Sequence, residues 1–314
     1  QAGRRIGRAG TNFRASAVAV EWDGMPELPE VETVARGLQA ALPGRRIVEV
    51  RLGKTDFIDD PAALEAELPG RWVKRVRRYG KFLLVEFAAG GEADGGARTN
   101  GKTASLALMI HLGMTGQVTV CAGGAPVAPH THAFLALDDG REVRYTDIRR
   151  FGRICLLDER NREEFLEPFG LDPLEASEAE FRAAISGRRA RVKALLLDQS
   201  VLRGIGNIYA DESLWRARIH PKRIGVNLKG AEIARLYRAV QAILKEAIRL
   251  RGSSISDYVG ADGSRGEFQL RHRVYQRTGK KCARCGGVIR RAIVAGRSSH
   301  FCPTCQRTPR GRSR

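Results

Sequence analysis

Two CxxC pairs near the C-terminus, Cys282-x2-Cys285 and Cys302-x2-Cys305, constrain this chain more than any other feature. Each pair bends the backbone so that both sulfurs reach one point, and tetrahedral Zn²⁺ takes four thiolates. Two redox dithiols share the local pattern. Two pairs sixteen residues apart, with the strand-like stretch "VIRRAIV" between them, instead match a zinc-braced hairpin. Four protein ligands leave no open coordination position, so one structural ion is expected. The hairpin holds Arg297 in a Gly296-Arg297-Ser298 turn. An arginine at such a tip is well placed to enter a groove; a solvated turn arginine explains it equally. Cys121 and Cys155 stand alone and read as inert thiols. Six clustered cysteines do not make a secreted disulfide framework, and a reducing, intracellular compartment fits best.

Charge narrows the partner. Lys and Arg number 54 against 35 Asp and Glu, a formal net charge of +19 in 314 residues. A surplus of that size marks a polyanion partner more often than mere solubility. No apolar run approaches the ~20 residues that span a bilayer, so no membrane insertion is expected and nucleic acid leads. A hydrophobic content of 43% is that of a globular protein, and the length allows two or three domains.

The stretch "MPELPEVE" (25–32) raises a chemical question. If Met25 is the start and is trimmed, Pro26 carries a free secondary amine. Such an amine can attack a sugar anomeric carbon and form an iminium. Its reference pKa near ~8 leaves a useful neutral fraction, where a lysine near ~10.4 does not. Glu27 could move protons at the sugar and Glu30 could orient the site. A helix N-terminus decorated with acids explains the same residues, and composition does not separate the two. Residues 1–24 are arginine-rich and short of acids until Glu21, without a signal-peptide core. They read as a leader or a mis-called start, with an organelle transit peptide as a further reading. If they stay attached, the Pro26 nitrogen is an amide.

Pro29 and Glu30 suit the first turn of a helix whose apolar stripe is Val31, Val34, Leu38 and Leu42, ended by Pro43-Gly44. Strands follow at 81–87 and 105–112, and a hairpin over 132–145 turns at Asp139-Gly140. Residues 88–104 read as a long exposed loop. This pattern predicts a sandwich or barrel-like domain over 25–157. Beyond 160 the pattern turns helical. Ser177 and Glu180 form a capping box, a helix covers roughly 190–198, and Ile233, Leu236, Val240, Leu244 and Ala247 mark a long helix ending at Gly252. Residues 253–280 read as loop, 281–307 as the cysteine module and 308–314 as a basic tail.

Two further motifs carry weight. In Gly204-Ile205-Gly206-Asn207 the glycines let backbone approach a ligand, and N–H groups at a helix start favour an anion. A plain helix–turn–helix link explains it equally, while Lys193 and Arg203 nearby tilt it toward a DNA backbone. The segments "IHLGMTGQ" (110–117) and "RYTDIRRFGR" (144–153) offer Met114, Arg149 and Phe151, side chains suited to insertion into a duplex. Spacing alone favours core packing for Met114 and Phe151 and a solvated Arg149.

Taken in order, "MPELPEVETV", "YGKFLLVEF", "IHLGMTG", "RYTDIRRFG", "GIGNIYADESLW", "IHP" and the terminal cysteines resemble the formamidopyrimidine-DNA glycosylases (Fpg), from Met25 to about Cys305. "PELPE" resembles that branch more than the endonuclease VIII branch, whose opening is typically Pro-Glu-Gly-Pro-Glu. The resemblance implies an α+β multidomain fold: an N-terminal helix with an antiparallel β-sandwich, a helix-two-turns-helix domain and a C-terminal zinc-finger hairpin. It implies a bifunctional glycosylase and AP lyase for oxidised purines in double-stranded DNA, with no redox or nucleotide cofactor, working as a monomer in the cytoplasm at the nucleoid. Pro26 would be the nucleophile, Glu27 the proton-transfer partner and Lys81 a DNA contact near the lesion. Met114, Arg149 and Phe151 would fill the gap left by the extruded base, Asn207 and Arg297 would bind DNA, and 252–270 resembles the region that carries the loop over the flipped base. An endonuclease VIII-like enzyme for oxidised pyrimidines, or a non-catalytic zinc-dependent DNA-binding protein with Pro26 blocked, are the competing readings.

Overall fold

The computed structural model describes residues 25–88, 105–255 and 257–308. The leader, most of the loop read at 88–104 and the tail from 309 lie outside the described residues. The chain forms two compact units. Among the described residues, one comprises 25–26, 30–168 and 254–265, and the other comprises 27–29, 169–253 and 266–308.

In the first unit, helix α1 (Leu28–Ala41) supplies the stripe its periodicity predicts, with Val31, Val34, Leu38 and Leu42 all buried. Among the described residues eight strands follow: β1 (Ile47–Leu52), β2 (Val73–Tyr79), β3 (Phe82–Phe87), β4 (Leu106–His111), β5 (Gln117–Ala122), β6 (Thr131–Leu137), β7 (Arg141–Thr146) and β8 (Arg153–Asp158). They make two antiparallel four-stranded sheets, in the orders β1-β6-β7-β5 and β2-β3-β4-β8. The stripe of α1 joins Leu83, Val85, Leu108, Ile110, Val118, Leu135 and Val143 in one core. Strands β3 and β4 are buried at every position, as their largely apolar sequences require, and Glu86 in β3 is paired with Arg75 and Arg77. Their outer face is covered in part by helix α3 (Glu159–Leu166), whose Phe165 meets Phe82 edge-on at 5.2 Å. Helix α2 (Pro61–Glu67) begins at an Asp60 cap.

Residues 254–265, read from sequence as part of a loop region, are fastened to this sandwich. Tyr258 and Ala261 are buried in its core, and the Tyr258 hydroxyl donates to the Glu30 carbonyl at 3.2 Å. The Val120 N–H donates to the Ala261 carbonyl at 3.0 Å. A buried tyrosine and a strand-like hydrogen bond hold this stretch without regular secondary structure, so no periodicity announces it.

The second unit is built of helices α4 (Glu178–Ile185), α5 (Val192–Leu197), α6 (Asn207–Ala217) and α7 (Gly230–Arg249), followed by the hairpin β9 (Arg290–Val294) and β10 (Arg297–Phe301). The Ser177–Glu180 capping box forms in both directions. The apolar stripe of α7 is buried against Phe181, Leu196, Ile208 and Leu214. Among the described residues no helix is long and apolar enough to cross a membrane.

Candidate active site and nucleic-acid interface

Both crossings between the two sheets that carry the Met114 and Arg149 motifs lie side by side. β4 pairs with β8, placing His111 opposite Arg153, and β5 pairs with β7, placing Gln117 opposite Thr146. The loops 112–116 and 147–152 are therefore neighbours, and their side chains meet. The Arg149 guanidinium lies over the Phe151 ring, 4.5 Å from its centroid, and Nη1 donates to the Met114 sulfur at 3.1 Å. Arg149 is exposed, Met114 half-buried, and Phe151 is 46% exposed. The core reading that spacing favours for Met114 and Phe151 does not hold. An aromatic ring left in solvent forgoes part of the ~1.5–3 kcal/mol that full burial brings.

Asp147 holds these loops, and sequence reasoning overlooked it. It is fully buried. One carboxylate oxygen accepts from the Thr115 hydroxyl; the other accepts from the Tyr145 hydroxyl at 3.1 Å and the Gly152 N–H at 2.9 Å. The Thr115 oxygen in turn accepts the Arg149 N–H at 3.0 Å. Burial first, and then the Asp147 charge, push the Tyr145 phenol well above its usual range, which keeps it a donor. A side chain at Gly113 could not fit, since a Cβ there would lie 2.4 Å from the Phe151 carbonyl carbon.

Lys81 is buried just before β3, where Phe82 pairs with His111. Burial first, and then the Lys81 charge, hold the His111 imidazole down to about 4. Neutral His111 accepts the Gly113 N–H on Nδ1 at 3.2 Å, at the root of the Met114 loop. Glu30 is buried in the first turn of α1, and Pro26 is buried two residues before it begins.

In the second unit, Gly204–Asn207 forms the N–H cradle that the sequence reading expects, and a carboxylate of this chain lies in it. The Glu27 carboxylate occupies it. It accepts the N–H groups of Gly206 at 2.8 Å, Ile208 at 2.8 Å and Tyr209 at 3.3 Å, at the N-terminus of α6. The Leu28 N–H donates to the Gly204 carbonyl at 2.9 Å. Gly206 must lack a side chain here, because a Cβ would stand 2.5 Å from the Glu27 carboxyl carbon. The residue after Pro26 is thus pinned by three donors and the positive end of a helix. Asn207 is the first residue of α6 and is mostly buried.

Lys193 is a correction. It does not offer its charge to a phosphate: its side chain is fully buried, and Nζ donates to Asp211 at 2.6 Å and to the Ser298 carbonyl at 2.7 Å. A lysine removed from water needs a carboxylate partner, and α6 supplies one. Glu212, also buried, accepts the N–H groups of Arg273, Val274 and Tyr275.

The four cysteines converge. Their sulfurs lie within 4.8 Å of one another, with Cys282–Cys305 at 3.9 Å and Cys285–Cys302 at 3.5 Å. Tetrahedral zinc with Zn–S bonds of ~2.3 Å sets sulfurs about 3.8 Å apart, so the residues fit the ion. Burial pushes the Cys282 thiol up, but donors that include the Arg284 N–H and the Trp215 indole outweigh it and bring it to about 6. Burial first, and then the Cys285, Cys302 and Cys282 thiols, push Cys305 to about 12. Arg297 opens β10 opposite Val294, half-exposed at the hairpin tip; the turn residues are Ala295 and Gly296.

Three stretches of the chain match known domains in order. Residues 25–154 match the formamidopyrimidine-DNA glycosylase N-terminal domain, 169–259 its H2TH domain, and 279–308 a zinc finger found in FPG and IleRS. The chain belongs to the formamidopyrimidine-DNA glycosylase family. It is 44% identical over 285 residues to the formamidopyrimidine-DNA glycosylase of Solibacter usitatus, covering 90% of this chain and all of that one. The Pelotomaculum thermopropionicum relative is 42% identical over 289 residues, covering 90% of this chain and 99% of its own. Among solved structures, Lactococcus lactis Fpg in complex with abasic-site DNA superposes with a TM-score of 0.78 at 34% identity, over 90% of this chain and 100% of that chain. The same Fpg with DNA containing an oxidised pyrimidine gives the same TM-score, identity and coverage. The fold is therefore that of an Fpg: a sandwich domain, an H2TH domain and a zinc finger, with a cysteine cluster fitted to one structural zinc ion.

Proposed function

We propose that this chain excises oxidised purines from duplex DNA and then cuts the strand, through an imine at Pro26 once that nitrogen is free. It is a DNA glycosylase of base repair with lyase activity. The observation that carries the reading is the Asp147-braced group of Met114, Arg149 and Phe151. A half-exposed phenylalanine under an arginine is the kind of wedge that holds a duplex open after a base is extruded.

The chemistry follows from the residues. The Pro26 amine bonds to C1′ of the damaged nucleotide, the glycosidic bond breaks, and the base leaves with a proton. Glu27, fixed by its three N–H donors, moves the proton that opens the sugar ring at O4′. The iminium acidifies C2′–H. Loss of that proton expels the 3′ phosphate, a second elimination expels the 5′ phosphate, and water releases the amine. Lys81 and Glu30 serve the reacting sugar, while Asn207 and Arg297 bind the backbone. Cys282, Cys285, Cys302 and Cys305 would hold one zinc ion at the hairpin's base, and four thiolate ligands would leave it no open position for substrate. The protein acts as a monomer in the cytoplasm, at the nucleoid.

Borohydride trapping on an 8-oxoguanine duplex tests this. Protein beginning at Pro26 gives a covalent adduct; protein that retains Met25 and the preceding residues gives none but still binds. Tight binding without an adduct from the Pro26-terminated protein would establish a non-catalytic binder instead. Faster trapping on oxidised pyrimidines would move the substrate class.

A further inference from the structure

Helix α6 carries Asn207, Asp211 and Trp215 at i, i+4 and i+8, so the three share one stripe. Asn207 opens the helix. The Trp215 indole N–H donates to the Cys282 sulfur at 3.4 Å. Between them Asp211 is buried with both oxygens engaged. Oδ1 takes the Lys193 ammonium at 2.6 Å; Oδ2 takes the His300 backbone N–H at 2.7 Å and lies 3.0 Å from its Nδ1. Lys193 also donates to the Ser298 carbonyl at 2.7 Å. The hairpin strand β10 is therefore tied to α6 at Ser298 and at His300. Both ties lie between the cysteines and the tip, and Arg297 is the next residue outward.

A brace is needed there. The five residues of β10 extend roughly 16 Å at ~3.3 Å each, so zinc fixes only the near end. A lone two-stranded hairpin is marginally stable in water. A buried ion pair is often a poorer stabiliser than apolar packing, and the role best attested for one is to fix a register. We propose that Asp211 is a positioning residue for Arg297: acting through Lys193 and His300, it sets the hairpin against α6 and so fixes where the Arg297 guanidinium meets DNA. The proposal rests on the reading of Arg297 as a DNA contact.

The test uses the full chain beginning at Pro26, zinc-loaded, and a duplex bearing a tetrahydrofuran abasic analogue at fixed salt. Arg297→Ala should weaken binding about tenfold and lower the salt slope by about one. Asp211→Asn should do the same, and the double variant should be no more than about twofold weaker than either. Independent losses that multiply to about a hundredfold, or Asp211→Asn binding as wild type, overturn the proposal. A second protein, Lys193→Met with Asp211→Leu, replaces the ion pair with apolar volume. It should keep one zinc per chain and a cooperative melt, yet lose the same tenfold. If it and Asp211→Asn both lose zinc or the melt, the network serves the fold and the proposal fails. If Arg297→Ala binds as wild type, the reading of Arg297 falls and takes this proposal with it; if only Asp211→Asn is silent, the proposal falls alone.

Discussion

Replacing Asp147 with asparagine keeps the shape of the side chain and removes its charge and one acceptor. The carboxylate of Asp147 accepts from the Thr115 hydroxyl, the Tyr145 hydroxyl and the Gly152 N–H. An asparagine has one carbonyl oxygen to offer, and its NH₂ group must face a donor. Whichever way the amide turns, at least one buried donor loses its acceptor. A hydrogen bond to a charged group is worth about 1.5–3 kcal/mol. At ~1.36 kcal/mol per decade that is roughly a 10- to 150-fold rise in local opening. Amide exchange read by mass spectrometry measures it at the right place. The Arg149 and Gly152 amides should exchange faster by that factor, while those of β4 and β8 keep their protection. Excision of 8-oxoguanine should fall in step, because the Arg149 N–H hangs on the Thr115 oxygen at 3.0 Å. Unchanged exchange at Gly152, or a loss spread evenly over the sandwich, would refute the assignment of Asp147 as the anchor of these loops.

Gly206→Ala should push the Glu27 carboxylate from its cradle. Imine trapping should then fall by about 10²-fold or more, the scale of lost acid–base assistance, while binding to an abasic analogue changes less than about threefold. Equal losses in both would show that the cradle serves binding. His111 and His272 are both held down to about 4, His272 by burial first and then by the Arg277 charge. Their folded values lie below the unfolded ~6.5, so their stabilisation is present above that pH and is lost as pH falls through 6.5 toward 4. It reaches about 3 kcal/mol each at most. NMR titration should find both imidazoles neutral at pH 6, and a positive imidazole there would contradict this. Stripping zinc with a chelator should expose four reactive thiols and weaken DNA binding about tenfold or more, with the melt of the sandwich unchanged. Intact affinity in the stripped protein would remove the zinc finger from the interface.

What the sequence shows, and what it hides, divides along the range of the interaction. The cysteine pairs, the α1 stripe, the Ser177–Glu180 box and the turn at Asp139-Gly140 are local patterns, and each is found where its spacing predicts it. The N-terminus of α6 is also local: glycines and free N–H groups announce an anion. Which anion is not local, because Glu27 lies some 180 residues away along the chain. Lys193 misleads for the same reason. A basic residue ahead of a glycine turn suggests phosphate, and only the fold reveals Asp211 and the Ser298 carbonyl closing on it. Met114 and Phe151 show the opposite failure. Apolar residues near strand ends belong in a core by default, and the rule is broken where a buried acid two residues before Arg149 spends all its acceptors on holding two loops outward. Buried carboxylates that serve backbone N–H groups recur at Glu27, Asp147, Asp211 and Glu212. Each has its oxygens engaged by protein donors, and each sits where a loop or hairpin must be held in one place. In a chain this basic, these four buried acids are more informative than the exposed ones.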